Sequence, residues 1–276
     1  MEEEQGDTEE VLHGGVANQG AVVRVGDEVL RPSNPFTPTI HRFLGDLRAT
    51  GFDGASLPVG VDPDGRERLV FIPGDVPLAP FPEWFQTEDA LASVAGLMAR
   101  FHAASGAVGH DGPWSDEMVD RGARPDQHVV VCHNDVCPEN VVFRDGVAVA
   151  LLDFDFAAPG RPVYDLAQFV RMCVPVTDDG YAESVGFLPA DRPSRVRSVC
   201  DAYEDAGGVL GATGRAELLA ILDDSIARSG QWVQAKAAAG HPGFVAMLES
   251  LGGPETFDRR RSWWAGARES FASALA

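Results

Sequence analysis

The chain has 276 residues, 45% hydrophobic and 23% charged, an ordinary globular balance that excludes wholesale disorder. No apolar run approaches the about 20 residues a membrane helix needs. The acidic start MEEEQGDTEE is no secretory signal and four cysteines make no disulfide framework, so a reducing cytoplasm is expected. A net charge of −20, with Lys236 the one lysine, opposes nucleic acid and anionic membranes; it either attracts cationic small molecules or serves only solubility.

Residues 1–10 hold six acids and no periodicity, and a mobile tail is expected there. Residues 20–25 and 28–31 are rich in β-formers around Gly26-Asp27, which predicts a hairpin. Thr37 reads as a helix N-cap with Pro38 behind it. Ile40, Phe43, Leu44 and Leu47 then share one helix face, and Gly51 ends it. Residues 67–72 (ERLVFI) read as a strand after the turn Asp64-Gly65. Pro73-Gly74 breaks it, and Pro77, Pro80 and Pro82 mark a boundary between an N-terminal lobe over 11–74 and a C-terminal lobe over 75–276. Thr87 caps a second helix with Leu91, Val94, Ala95, Met98 and Phe101 on one face. Residues 129–132 predict a short strand, and 141–143 with 147–152 a hairpin around Arg144-Asp145-Gly146. From Asp165 onward five or six helices are expected, two of them over 193–206 and 214–229. The fold class is α+β: a small β-rich lobe, then a larger helical one.

The informative stretch is CHNDVCPENVVFRDGVAVALLDFD, residues 132–155. His133, Asp135 and Asn140 follow a strand, and a short hairpin returns the chain to Asp153. This matches the H-x-D-x-x-x-x-N loop and following metal-binding aspartate of kinases. A hydroxyl attacking the γ-phosphorus of ATP must be oriented and deprotonated, which suits the carboxylate of Asp135. The phosphate charges call for Mg²⁺, a hard ion taking oxygen ligands, and Asn140 and Asp153 offer them. His133 reads as a hydrogen-bonding support for the loop. Asp155 is either a second metal or substrate contact or a solvated strand-end carboxylate. Asp165 reads as a helix N-cap tying the loop down rather than a catalyst. Cys132, His133 and Cys137 lack a second ligand pair nearby and are not read as a zinc site.

With HNDVCPEN (133–140), LLDFDFAAPG (151–160), YDLA (164–167), GVANQGAVVRVGDEVLRP (15–32) and FIPGD (71–75), the chain resembles the aminoglycoside phosphotransferase and choline-kinase-like small-molecule kinases over nearly its whole length. The resemblance implies a protein-kinase-like two-lobe fold and ATP- and Mg²⁺-dependent transfer to a hydroxyl of a small molecule. The acceptor would be aminoglycoside-like or another cationic or polyol compound. The alternatives are a choline, homoserine or sugar kinase, or a nucleotide-binding relative without turnover. It makes Asp135 the base and Asn140 and Asp153 the magnesium ligands. It sets the backbone of Val70 and Ile72 against adenine, and Gly14, Gly15 and Asn18 over the phosphates.

Two departures from the family pattern stand out. The lysine usual on the third strand is absent, and Arg31 stands there, either as a phosphate-binding guanidinium or as a surface arginine. The position of the usual helix glutamate holds His41, a weak partner for an arginine or a surface residue. Glu204, Asp205, Asp223 and Asp224 could meet a cationic acceptor beside Trp232, Trp263 or Trp264, or could be solvated faces and core.

Overall fold

The computed structural model describes residues 9–12, 20–124 and 127–276. The expected acidic tail, apart from its last two residues, and the loop with Gly14, Gly15 and Asn18 lie outside them. Glu10 is in a strand: β1 (Glu10–Val11) pairs antiparallel with β2 (Val23–Val25). The turn at Gly26-Asp27 returns the chain into β3 (Glu28–Pro32) as expected. A fourth strand that the sequence does not announce, β4 (Pro58–Val61), precedes β5 (Arg66–Val70). The sheet order is β1-β2-β3-β5-β4, antiparallel throughout.

Helix α1 (Thr37–Ala49) buries Ile40, Phe43, Leu44 and Leu47, the face their spacing predicts. It begins one residue early: Phe36 is the N-cap, and the Thr37 hydroxyl accepts from the Asn34 N–H outside the helix instead of capping it. Helix α2 (Glu88–Ser105) is capped by Thr87, whose hydroxyl accepts from the Ala90 N–H. Leu91, Val94, Ala95, Met98 and Phe101 are all buried. This helix lies at the centre of the core, packed on β6 (Val130–Cys132), on β8 (Val147–Leu151) and on α5 (Arg192–Asp205). Its apolar face thus meets both the strand that precedes His133 and the helical layer, the burial that dominates folding free energy.

The hairpin of β7 (Val141–Arg144) and β8 forms around Asp145-Gly146. It is tied at two points to the segments that flank β4 and β5: Asp75 and Phe143 exchange backbone hydrogen bonds at 2.8 Å in both directions, and the Leu151 N–H donates to the Gly54 carbonyl at 2.9 Å. The first contact requires Gly74. At φ +155° a Cβ there would sit 2.5 Å from the Phe143 carbonyl oxygen, so no other side chain fits. Strand β9 (Ala158–Gly160) pairs with β6. Helices α3 (Pro162–Cys173), α4 (Asp179–Ser184), α5, α6 (Gly211–Ala238), α7 (Pro242–Ser250) and α8 (Glu255–Leu275) follow. No helix among the described residues is long and apolar enough to cross a membrane.

Candidate active site

Strand β6 ends at the loop that begins with His133. The loop is held from beneath by Asp165, which is fully buried. Its carboxylate accepts the backbone N–H groups of His133 (2.8 Å) and Asn134 (2.7 Å) and contacts His102 Nε2 at 3.0 Å. His102 Nδ1 in turn meets the Tyr203 hydroxyl at 2.8 Å. Burial pushes the Asp165 carboxyl up, but the His102 bond and the neighbouring histidines outweigh it and hold it below the ordinary carboxylate range. Asp165 is therefore the tie the sequence suggested, though not a cap: α3 starts at Pro162 behind Arg161, and Asp165 lies inside its first turn. Asn134 has φ +67°, a left-handed turn that this double grip enforces.

His133 is a support. Its Nε2 donates to the Leu152 carbonyl at 2.8 Å, and its Nδ1 accepts the Asp135 N–H at 3.3 Å. Both contacts select the neutral ring, and burial lowers its pKa in the same direction. With both nitrogens used, a zinc ion has no purchase on it. His102, Cys132 and Asp165 lie close enough together to suggest a metal. However, burial raises the Cys132 thiol well above its usual range and the His102 nitrogens are engaged, so the chemistry of this donor set does not favour one.

Asp135, Asn140 and Asp153 face one cleft of about 610 Å³. Asn140 Nδ2 donates to the Asp135 carbonyl at 2.9 Å and to its carboxylate at 3.1 Å. The Leu152 N–H donates to the Asn140 carbonyl at 2.8 Å, which brings the residue before Asp153 alongside. Asp153 itself has φ +60°, a turn just past the end of β8. With its nitrogen committed to Asp135, the Asn140 amide leaves its oxygen for another ligand. An amide oxygen beside a carboxylate is a donor set that fits Mg²⁺. Burial first, and the Asp153 charge second, raise the Asp135 carboxyl to about 7.

Arg31 is no surface arginine. Its side chain is 8% exposed and binds three carboxylates: Glu67 through Nε, Asp153 through Nη1 at 2.8 Å, and Asp155 through Nη2. Burial opposes its charge, but the three acids outweigh burial and raise its pKa. Asp153 is correspondingly held low against burial by Arg31, whereas burial and Asp153 push Asp155 up. His41 does not touch Arg31. Its Nε2 lies 2.8 Å from the second oxygen of Glu67. Glu67, 2% exposed, is the residue that sequence reasoning missed. It is the register partner of Arg31 across β3 and β5, and its signal is an acid at the inward position of ERLVFI.

The expected adenine contacts divide. The Val70 N–H donates to the Leu57 carbonyl at 2.8 Å, and its carbonyl accepts the Ser56 hydroxyl, so both of its backbone groups are engaged. Ile72 lines the cleft and makes no backbone hydrogen bond among the described residues. Of the proposed acceptor groups, Trp232 lines the cleft. Glu204 is bound by Arg215, Asp223 by Arg268 and the Trp264 Nε1–H, and Asp224 by Arg228. Trp263 packs against the main core.

This two-part arrangement, a strand-rich sheet over a helical body with the loop and hairpin between them, is that of a kinase-like small-molecule phosphotransferase. Residues 110–197 match the phosphotransferase enzyme family, APH. The trifolitoxin immunity protein of Rhizobium leguminosarum bv. trifolii is 34% identical over 187 residues, 66% of this chain and 69% of that protein. The chain belongs to this family. A choline/ethanolamine kinase family protein from Mesorhizobium loti superposes with a TM-score of 0.65 at 17% identity, covering 99% of this chain and 94% of that one. An amicoumacin kinase in complex with AMP-PNP and Ca²⁺ gives 0.65 at 12% identity, covering 91% and 88%.

Proposed function

We propose that the protein transfers the γ-phosphoryl group of ATP to a hydroxyl of a small molecule, with Mg²⁺. The observation that carries this reading is Asp135: a buried carboxylate beside the cleft, fixed by Asn140 and raised to about 7, where a general base is most effective at neutral pH. Asp135 orients the acceptor hydroxyl and takes its proton as the new O–P bond forms and the bond to the β-phosphate oxygen breaks, releasing ADP. Asn140 and Asp153 would hold Mg²⁺, which when bound would supply neutralisation of the phosphate oxygens. Arg31 moves its guanidinium from Asp153 to the phosphates, a planar donor suited to two oxygens at once. Glu67 and His41 keep its stem in place. Ile72, which lines the cleft, would offer its backbone groups to adenine; Asn18, expected over the phosphates, lies outside the described residues. Four free thiols agree with a reducing cytoplasm.

A second reading, nucleotide binding without transfer, is favoured by the hold of Arg31 on both Asp153 and Asp155. ADP release measured against a panel of hydroxylated acceptors, alongside fluorescent-nucleotide binding, separates the two. The expected result is acceptor-dependent ADP release that Asp135→Asn lowers by about 10²–10⁴-fold while nucleotide affinity persists. Undiminished release by that variant removes Asp135 from the reaction.

A further inference from the structure

The acceptor side of the cleft contradicts the charge of the chain as a whole. Two arginines line it with Asp135: Arg171 from α3 and Arg260 from α8. The Arg171 Nε donates to Gln168 at 3.1 Å, and the Arg260 Nε to the Thr177 hydroxyl at 3.0 Å. Neither has a carboxylate within ion-pair distance among the described residues, although 42 acids are present in the chain. Arg31 and, on α5 and α6, Arg192, Arg197, Arg215 and Arg228 have each found one, while Arg195 of α5 has found none among the described residues. Burial and the charge of Arg260 both depress Arg171, with Asp135 the acid that opposes them. The acid beside Trp232 is already spent: Glu117 is bound by Lys236 at 2.5 Å and by the Trp232 Nε1–H at 3.1 Å. Among the described residues, the acids that line the cleft are Glu67, Asp135, Glu139 and Asp153, and Arg31 binds Glu67 and Asp153.

The same cleft also has an apolar lining. Phe156 and Phe244 pack edge-on to Trp232 at 5.7 and 4.9 Å, and all three line the cleft with Met172. The Arg260 guanidinium lies over the Tyr181 ring at 4.6 Å, which holds it toward the same space. Two guanidiniums that repel each other in a partly desolvated hollow favour an anion between them and oppose an ammonium group.

We infer that the acceptor is an amphiphilic hydroxy acid, whose carboxylate sits between Arg171 and Arg260, whose apolar body lies on Trp232, and whose hydroxyl faces Asp135. This rests on the phosphotransfer reading and names its acceptor class. The transfer balances as before: the acceptor hydroxyl oxygen bonds to the γ-phosphorus of ATP, its proton passes to Asp135, and ADP leaves.

The test uses the full chain and four probes: N-octanoyl-L-serine, its methyl ester, N-octanoylethanolamine and kanamycin. Calorimetric binding is expected to show the acid bound at least about 10-fold more tightly than its ester. Arg171→Gln and Arg260→Gln, checked for unchanged melting, are expected to shrink that ratio toward one. Equal binding of acid and ester by the wild-type chain, or a preference for kanamycin, overturns the assignment, and this comparison needs no variant to fold. ADP release is measured in parallel on the same probes. Acid-selective binding with no transfer sinks the phosphotransfer reading while the binding assignment stands. Transfer to kanamycin without acid selectivity does the reverse.

Discussion

Arg31 and Glu67 are direct register partners across β3 and β5, joined through the Arg31 Nε, and His41 grips the other oxygen of the same carboxylate. The acid that steadies the buried cation of the cleft therefore comes from the neighbouring strand, and α1 contributes a histidine to it in place of an acid. This explains how a chain without a lysine at that position keeps a buried cation in the cleft: the guanidinium is wide enough to meet Glu67 with one nitrogen and the two aspartates with the others.

That geometry makes Arg31 the counter-ion of three carboxylates at once. Arg31→Ala leaves Glu67, Asp153 and Asp155 facing one another with no cation, and an unpaired buried charge costs about 3–5 kcal/mol. The expected outcome is a large loss of stability in urea unfolding without divalent ions. Part of it returns in millimolar Mg²⁺, because the ion takes over the neutralisation of Asp153. A variant whose stability is indifferent to Mg²⁺ would remove Asp153 from the metal site. Arg31→Lys does not rescue fully, since one ammonium cannot reach all three partners.

Glu67→Gln is milder. Arg31 keeps Asp153 and Asp155 and gives its Nε–H to the single, neutral amide oxygen, while His41 then faces the amide NH2 and meets it with Nε2 as acceptor. A loss of about 1–2 kcal/mol is expected. The clearer effect is kinetic: with its Nε held less firmly, Arg31 is less well oriented to phosphate, so KM for ATP rises several-fold with kcat changed less. Steady-state kinetics with varied ATP check this, and an unchanged KM would show that Glu67 does not position Arg31.

What the sequence made legible follows the range of the interactions involved. His133, Asp135, Asn140 and Asp153 sit on one loop and hairpin, so their convergence is encoded locally, and the faces of α1 and α2 follow from helical spacing. Strand β4, with the sequence PVGV, carries a proline and a glycine that conceal it. Glu67 depends on a strand pairing made across the helix α1, with no local sign of its register. Arg171 and Arg260 come from helices 89 positions apart in the chain; only packing reveals that they share a cleft, and the net charge pointed the other way. His41 was read against Arg31 because the acid between them was unassigned.

Asn140→Ala separates metal binding from the base. The change removes the amide oxygen offered to Mg²⁺ and also releases Asp135 from two hydrogen bonds. The concentration of Mg²⁺ needed for half-maximal rate is expected to rise about 10- to 100-fold, the usual scale for disturbing a metal site, and kcat falls even at saturating Mg²⁺. A rate deficit fully repaired by Mg²⁺ would assign Asn140 to the metal alone and deny it a part in holding Asp135.

The tie beneath the loop has a definite dependence on pH. Asp165 is held below the ordinary carboxylate range in the folded protein, whereas unfolding returns it to about 4. The unfolded chain therefore binds its proton first as the pH falls, so the stability that ionised Asp165 contributes is fully present above about pH 4. It is lost as the pH falls on through the lower folded value. Asp165→Asn keeps the shape but turns one acceptor into a donor facing the N–H groups of His133 and Asn134, a buried mismatch worth about 2–4 kcal/mol. Urea unfolding of both proteins near neutral pH is expected to show that gap in full. Repeated at successively lower pH, the gap narrows only below about pH 4 as the wild-type carboxylate takes up its proton. A gap that instead widened with acid would mean that Asp165 is not the ionised tie of the loop, and that Asn134 owes its left-handed turn to something other than this carboxylate.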